Sequence, residues 1–232
     1  MTGSDVRELL SRSPLFQGST EALIDEVLRA VNLRIVPARA TLFHQGDPAR
    51  ELIVLGKGIV RAWQMGGSGD ALTIRIMGLG DIIGVVPALR QTPYPITATA
   101  ITDCVLLSWP SSWILGLMER YPTIRANALD FVGRRTEELV NRLRETATER
   151  VDQRIARALL RLVDQTGHAS AGGGELGYKL SRQDIAEIVG TDLYSVSRIL
   201  RGWADRGLVS ASRLRVAVLD RPGMERIARG DA

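Results

Sequence analysis

The spacing of apolar residues changes along the chain and predicts helices in some regions and strands in others. Residues 4–31 are predicted to be helical, because apolar side chains recur there at intervals of three and four and because Ser19 or Thr20 can cap the segment. The recurring positions are Leu23, Ile24, Val27, Leu28 and Val31.

From Leu33 to Trp109 the chain consists of short β-rich runs separated by glycine and proline. The runs are LRIV, ELIVLG, GIVRAW, ALTIRIM, ITATAI and CVLLSW. Turn-forming residues lie between them at Gly46-Asp47, Lys57-Gly58, residues 66–70 and Gly80-Asp81. Closely spaced strands of this kind predict a small antiparallel barrel or sandwich.

A long helix is predicted to begin at Pro122, since proline is tolerated in a first helical turn. Six of its residues follow the alternating spacing of a coiled-coil seam, namely Leu129, Val132, Thr136, Leu139, Leu143 and Thr146. Two interpretations stay open: a dimer interface, or an amphipathic face that packs on the chain's own barrel. Charged residues off the seam, among them Arg142 and Glu145, are interpreted as a solvated face.

The last third of the chain contains further helix signals. Val151–Val163 reads as an amphipathic helix, and residues 168–175 read as a flexible, glycine-rich loop. Another helix is expected after Ser181, because Ser181 to Asp184 has the form of a capping box. Gly190 stands where such a helix commonly ends.

Asp192 can cap a second helix, which completes a helix-turn-helix. Its inward positions are Val196, Ile199, Leu200 and Trp203, and its outward positions are Leu193, Tyr194, Ser197, Arg198 and Arg201. The outward residues, together with Ser195 and Arg182, are the candidate DNA contacts. The alternating runs LVSAS and RVAVL, joined across residues 213–215, predict a two-stranded wing.

Composition and charge narrow the class of protein. The 232 residues are 45% hydrophobic and 24% charged, which fits a globular protein with two cores. The chain lacks a signal-like N-terminus and a run of about 18 apolar residues, so we expect a cytoplasmic protein without membrane contact. Residues 148–232 contain 14 basic and 11 acidic residues, and nearly all of the basic ones are arginine. Arginine suits phosphate and guanine, although an ordinarily solvated basic surface is the alternative.

Several chemistries lack the residues that they need. The single cysteine, Cys104, cannot supply the four thiolates of an iron–sulfur cluster, and in its apolar strand it is expected to be an inert core thiol. His44 and His168 are expected at the surface rather than as haem ligands. No triad, phosphate loop or metal motif is present, so we do not expect an enzyme.

Three segments resemble the CRP/FNR family of bacterial transcription regulators: LFHQGDPARELIVLGKGIVRAW, GDIIG and LSRQDIAEIVGTDLYSVSRILRGWADRGLV. The resemblance runs from about Leu15 to Leu219. It implies an α+β fold with a cyclic-nucleotide-binding-type β-roll in residues 1–118, a dimerisation helix in 119–147 and a winged helix-turn-helix in 148–232. It also implies a homodimer that binds double-stranded DNA and contacts RNA polymerase.

In this family a glutamate, a serine or glycine, and an arginine on the recognition helix commonly read the half-site. Ser197 and Arg198 match the last two residues, whereas Tyr194 stands where the glutamate would be. Arg198 is therefore the leading base-reading residue, with guanine O6 and N7 as its expected targets. The substitution by tyrosine means that the family's usual operator sequences cannot be assumed.

The residues that hold cyclic AMP in the family's receptors are replaced here. Those receptors place a glutamate after the glycine of this loop and an arginine eleven positions past it, whereas Gly84 is followed by Val85 and by Pro95. The polar pair that contacts adenine aligns with Leu139 and Val140. Because a phosphate without a cationic partner is strongly disfavoured, we expect a signal other than cyclic AMP.

The sequence does not identify that signal. Arg90 could pair an anionic ligand from another direction, so Gly84, Arg90 and Leu139 are the candidate effector residues. The apolar barrel could also hold haem or an apolar ligand, or DNA binding could be set by abundance alone. The expected function is a dimeric, sequence-specific regulator on a roughly palindromic operator, and the alternative is a regulatory module that acts through protein contacts.

Overall fold

The computed structural model describes residues 2–66, 71–170, 173–176, 178–212 and 214–231, and it excludes the side chains of residues 166–170 and 173. The chain forms two compact units. The first comprises Met1–Ala62 and Met77–Leu139, and the second comprises Trp63–Ile76 and Val140–Ala232.

The N-terminal part is helical but not continuous. Helix α1 (Gly3–Arg12) is followed by a 3-10 turn (Pro14–Phe16) and by helix α2 (Glu21–Arg29). The hydroxyl of Thr20 accepts a hydrogen bond from the amide of Leu23 at 3.3 Å, so Thr20 is the cap of α2. The helical interpretation of this region is confirmed, with the break that its Ser and Pro residues impose.

Two four-stranded antiparallel sheets follow, with the orders β1-β8-β3-β6 and β2-β7-β4-β5. Their strands are β1 (Asn32–Val36), β2 (Thr41–Phe43), β3 (Glu51–Lys57), β4 (Val60–Met65), β5 (Ala71–Met77), β6 (Ile82–Ile83), β7 (Thr97–Ala100) and β8 (Cys104–Pro110). Helix α3 (Val85–Arg90) lies between β6 and β7 in sequence. The six strand-like runs all fall on strands, whereas β2 and β6 are too short to give a periodic signal.

The first unit has two apolar cores. One joins α1 and α2 to strand β8, where Trp109 donates its indole N–H to the carbonyl oxygen of Val27 at 2.9 Å. The other fills the space between strands and contains Phe43 stacked on Tyr94, with ring centroids 3.6 Å apart. Side chains from the strands fill these two cores, which is why apolar runs recur through residues 33–109.

Three consecutive helices follow strand β8 in the sequence. Helix α4 (Ser111–Arg120) precedes α5 (Pro122–Thr148), which begins at the predicted proline, and α6 (Val151–Thr166) follows. Helix α6 extends three residues beyond the predicted end at Val163.

The second unit ends in a compact helical and sheet region. It contains β9 (Gly167–Ser170), β10 (Gly173–Leu176), α7 (Arg182–Val189), α8 (Leu193–Asp205), β11 (Val209–Ala211), β12 (Val216–Val218) and α9 (Arg221–Arg229). Strands β11 and β12 pair across the predicted wing, and Ser212 N donates to Arg215 O at 2.9 Å.

Two expectations for this unit are corrected. Residues 168–170 and 173–175, which were expected in a loop, are not one, because β9 and β10 pair as antiparallel strands. The two predicted wing strands pair as expected, but they belong to a larger sheet than expected, because β10 also pairs with β12 to give the order β11-β12-β10-β9. Glycine and alanine carry no side-chain alternation, so the backbone pairing of β9 with β10 left no periodic signal. Residues 67–70 of the turn predicted at residues 66–70 lie outside the described residues, as does the wing residue Arg213.

Candidate nucleic-acid interface

Helix α7 begins and ends at the residues that the sequence indicates. The amide of Asp184 donates to the Ser181 hydroxyl at 3.1 Å, and the Ser181 amide donates to the Asp184 carboxylate at 2.8 Å, which completes a capping box. Gly190 ends the helix with φ of 65°, a left-handed conformation that glycine adopts without a Cβ clash. The turn into the next helix is therefore fixed at both sides.

Helix α8 is capped by Asp192. The Asp192 carboxylate accepts the Ser195 amide at 2.8 Å and the Ser195 hydroxyl at 2.7 Å. The Ser195 hydroxyl and then the Ser195 amide lower the pKa of Asp192, because both hydrogen bonds favour the ionised carboxylate. The hydroxyl of Ser195, one of the candidate DNA contacts, is thus already engaged in the cap.

The two faces of α8 differ sharply in exposure. Val196, Leu200 and Trp203 are buried, while Ile199 is half-buried. On the opposite side Tyr194 is 76% exposed and Arg198 and Arg201 are exposed, with Leu193 at 47%. Ser197 and, on α7, Arg182 are half-buried. Four of the five outward positions of α8 are therefore exposed to solvent, as the pattern indicates.

The arginines on the outward face are not engaged by any other group in the part of the chain that the structure describes. Among the described residues, the guanidinium groups of Arg198 and Arg201 make no hydrogen bond or ion pair. Their donors are therefore available to an external acceptor, and a guanidinium presents five N–H groups in a fixed planar arrangement. Such a surface is chemically suited to phosphate and to base edges.

The seam on α5 is exposed in the isolated chain. Leu129, Leu139 and Leu143 are 64%, 50% and 72% exposed, and Val132 is half-buried. The hydroxyl of Thr136 donates to Val132 O at 3.0 Å, and that of Thr146 donates to Arg142 O at 2.9 Å. Because these hydroxyls are satisfied within their own helix, a second apolar surface could cover the seam without leaving them unpaired.

The region of the candidate effector residues is largely apolar. Gly84 has φ of 86° at the start of α3, and a Cβ there would lie 3.1 Å from Glu51 O and 3.2 Å from Tyr94 Cε1. Val85 is buried in the first core. Arg90 is exposed at the end of α3, and Leu139 lies on α5. The position where a ribose-binding glutamate would stand is therefore part of an apolar core.

The remaining titratable candidates do not form a site. Cys104 is buried, and burial raises the pKa of its thiol, so the thiolate is disfavoured. His44 is exposed, and the side chain of His168 lies outside the described residues. Within the described part of the chain, no cluster of His, Cys, Asp or Glu has the geometry for a metal ion, and no helix is long and apolar enough to span a bilayer.

Sequence reasoning missed an ion-pair cluster near the end of α5. The interpretation of Glu145 as a solvated residue is wrong, because Glu145 is 7% exposed. Its carboxylate accepts two hydrogen bonds from Arg161, at 3.1 and 3.0 Å. Arg157, on the same helix as Arg161, pairs with Glu149 at 3.1 Å and donates to Ala228 O at 2.6 Å. The partners lie on the following helix, so no spacing within α5 could reveal them.

Two family models match the chain. A cyclic nucleotide-binding domain matches residues 33–121, and a Crp-like helix-turn-helix domain matches residues 153–227. Their order agrees with the predicted α+β architecture of an N-terminal cyclic-nucleotide-binding-type sheet domain, a long helix and a C-terminal helix-turn-helix, which is confirmed.

Similar proteins align over nearly the whole chain. The cyclic AMP receptor protein of Thermus thermophilus is 29% identical over 94% of this chain and 98% of its own length. The CRP-like cAMP-activated global transcriptional regulator of Mycobacterium tuberculosis is 26% identical over 96% of this chain and 99% of its own. A crystal structure of a CRP-family transcriptional regulator from Thermus thermophilus superimposes with a TM-score of 0.72 at 25% identity, covering 84% of this chain and 96% of that one.

Proposed function

The chain belongs to the CRP/FNR family of transcription regulators, and from this premise we propose that it binds a roughly palindromic DNA operator as a homodimer. The observation that carries the proposal is the outward face of α8, on which Arg198 and Arg201 are exposed without partners among the described residues. In a helix-turn-helix this helix enters the major groove, with its N-terminal residues nearest the base edges.

The candidate DNA contacts divide into two roles. Arg198, supported by Ser197, is proposed to read bases, because an arginine can donate two hydrogen bonds to guanine O6 and N7. Leu193, Tyr194, Ser195, Arg201 and Arg182 are proposed to contact the backbone or to pack against the groove. Tyr194, at 76% exposure, brings an aromatic ring where relatives of this family commonly carry a glutamate, so its preferred sequence is expected to differ.

Dimerisation is proposed to use the exposed seam of α5. Two recognition helices then enter successive major grooves about one helical turn apart, which requires a half-site spacing of about 10 base pairs. We further propose the functional bounds 1–118 for the effector domain, 119–147 for the dimerisation helix and 148–232 for DNA binding. A regulator of this kind acts in the cytoplasm on promoter DNA and contacts RNA polymerase.

The signal is proposed not to be cyclic AMP, although similar proteins carry that ligand in their names. Val85 is buried in an apolar core, and Pro95 offers neither a charge nor an N–H donor to a cyclic phosphate. Gly84, Arg90 and Leu139 are the residues proposed to line an alternative effector site. We propose no enzymatic activity for this chain.

Selection from a random DNA pool tests the proposed function. The full-length protein is expected to enrich an inverted repeat and to bind it as one dimer per duplex, without a change in affinity when cyclic AMP is added. Enrichment of no common sequence by a folded dimer contradicts the DNA-binding proposal and favours a module that acts through protein contacts. A gain in affinity on addition of cyclic AMP contradicts the proposal on the signal.

A further inference from the structure

The first unit contains a cavity of about 520 Å³ at one end of its strands. The cavity lies where β1 and β3 begin and β8 ends, since Asn32, Glu51 and Pro110 line it. Sites for small molecules commonly have volumes of about 300–1,000 Å³, and the mouth of a β-barrel is one of their usual places. The cavity therefore has the size and the position of a ligand site.

One wall of the cavity is aromatic and includes a buried serine. The rings of Phe43 and Tyr94, which stack with their centroids 3.6 Å apart, line it. Ser108 also lines it and is 1% exposed. Its side chain lies on the same face of β8 as Leu106 of the second core, because side chains alternate along a strand. Among the described residues no group hydrogen bonds the Ser108 hydroxyl, so a ligand in the cavity would supply the partner that this group otherwise lacks.

The rim of the cavity carries one positive and one negative charge that the described chain does not neutralise. Arg34 and Glu51 pair with each other at 2.6 Å. Arg50 is exposed and makes no hydrogen bond or ion pair through its guanidinium with the described residues. The Asp47 carboxylate accepts the His44 amide at 2.8 Å but has no basic partner in the described part of the chain. A ligand therefore meets both a guanidinium and a carboxylate at this rim.

Backbone hydrogen bonds hold this rim in place before any ligand arrives. The Gly46 amide donates to Tyr94 O and the Tyr94 amide donates to Asp47 O, both at 2.9 Å. The Tyr94 hydroxyl donates to Glu51 O at 2.9 Å. Burial, the largest effect, raises the pKa of Tyr94 to about 12, so its ring stays uncharged beside the two charged groups. Because the rim and the wall are already ordered, a ligand loses less free energy in fixing them.

We propose that this cavity binds a free α-amino acid with an apolar side chain. Arg50 pairs with its carboxylate, which also accepts the Ser108 hydroxyl, and Asp47 pairs with its ammonium group. The apolar side chain packs on Phe43 and Tyr94. A simple anion satisfies Arg50 but is repelled by Asp47, and a simple cation is attracted and repelled in the opposite way, whereas a zwitterion matches both charges.

The site is separate from the candidate effector residues and from α8. Gly84, Arg90 and Leu139 are not among the residues that line the cavity. The inference goes beyond the proposed function, and ligand binding is measured on the protein without DNA. Failure of this proposal therefore leaves the DNA-binding proposal untouched, and failure of DNA binding leaves this one untouched.

Isothermal titration calorimetry on the full-length protein tests the proposal with L-leucine and L-phenylalanine. At least one of them is expected to bind. Its analogue without the amino group and its analogue without the carboxylate are each expected to bind about tenfold more weakly, because each leaves one charge of the rim without a partner. If neither amino acid binds, or if either analogue binds as tightly as the parent, the proposal is overturned.

Two neutral substitutions assign the charges. Arg50→Gln is expected to weaken the amino acid about tenfold without weakening the analogue that has no carboxylate. Asp47→Asn keeps an oxygen for the His44 amide, and it is expected to weaken the amino acid about tenfold without weakening the analogue that has no amino group. A general loss of structure would weaken every ligand alike, so only the crossed pattern supports the proposed contacts, and its absence contradicts them.

Ser108→Ala removes a hydroxyl that has no partner in the described chain. Its thermal unfolding is therefore expected at the temperature of the wild type or above, while its affinity for the amino acid falls about fivefold. Arg125→Gln is the control, because Arg125 is an exposed arginine on α5 that does not line the cavity. It is expected to bind the amino acid like the wild type. Equal affinities of Ser108→Ala and Arg125→Gln would show that the buried hydroxyl does not contact the ligand.

Discussion

Arg198 is exposed, its guanidinium has no partner among the described residues, and it lies in the N-terminal half of α8. Its neighbours Val196 and Leu200 are fully buried, so the helix cannot rotate to hide the arginine without losing core contacts. The apolar face of α8 thus determines which side chains can reach DNA.

Replacement of Arg198 by alanine separates base reading from backbone binding. Arg198→Ala is expected to cost about 1–3 kcal/mol on the preferred operator and much less on scrambled DNA, because only the former offers the matching base edges. Fluorescence anisotropy on the two duplexes measures the difference. Arg226→Ala is the charge-matched control, because Arg226 is an exposed arginine on α9, outside the candidate DNA contacts. Losses of equal size on both duplexes would assign Arg198 to the backbone alone.

Asp192 makes the stability of the recognition helix depend on pH. Hydrogen bonds from Ser195 hold the pKa of its carboxyl in the folded chain below the ordinary value of 3.8. The stabilisation is therefore fully present above pH 3.8 and is lost as the pH falls through the lower, folded value. Thermal unfolding is followed by circular dichroism. The unfolding temperature of the wild type is expected to fall relative to that of Asp192→Asn only below about pH 4. Asparagine keeps a capping oxygen but does not titrate, so parallel pH profiles would disprove this role.

At the scale of secondary structure, the helix-turn-helix could be predicted almost completely from sequence. Its signals are local: Ser181 and Asp192 cap their helices within three residues, and Gly190 ends α7 in the conformation for which glycine is suited. The pairing of β9 with β10 could not be predicted, because it uses backbone groups. The pairing of β10 with β12 joins segments about 40 residues apart in sequence, so no local pattern reveals it.

The cluster at Glu145 was missed for a related reason, since its partners lie on another helix. Glu145→Ala removes the acceptor of two hydrogen bonds from Arg161 and leaves a partly buried guanidinium unpaired, so it is expected to lower the free energy of unfolding by about 2 kcal/mol. Urea unfolding measures this change. Glu137→Ala, an exposed glutamate on the same helix, is the control and is expected to have little effect. Equal effects of the two substitutions would show that the Arg161 contact contributes nothing.

At the scale of the whole molecule, the seam of α5 is an apolar row that a single chain leaves exposed. Its leucines form a row with helical spacing, and its threonine hydroxyls are satisfied internally. A dimer brings two recognition helices together, so the affinity for an operator reflects two half-sites on one molecule. The sequence could indicate this seam, but the periodicity alone could not separate it from an intramolecular face.

Leu143 tests the seam directly. Leu143→Glu places a carboxylate in the seam and is expected to convert the dimer to a folded monomer, because an unpaired charge is costly to bury. Sedimentation equilibrium measures the mass. Ile35→Glu is the matched control, since Ile35 is 74% exposed on β1 and Leu143 is 72% exposed on α5. Retention of the dimer by Leu143→Glu would locate the interface elsewhere.

The central claim is that this protein regulates transcription by binding a specific DNA sequence through α8. The most direct measurement is a salt titration of full-length protein on its enriched operator and on a scrambled duplex. The account predicts affinity that falls steeply with salt on both duplexes and that is at least about 10³-fold higher on the operator. A folded dimer that shows no salt-dependent binding to either duplex would contradict it.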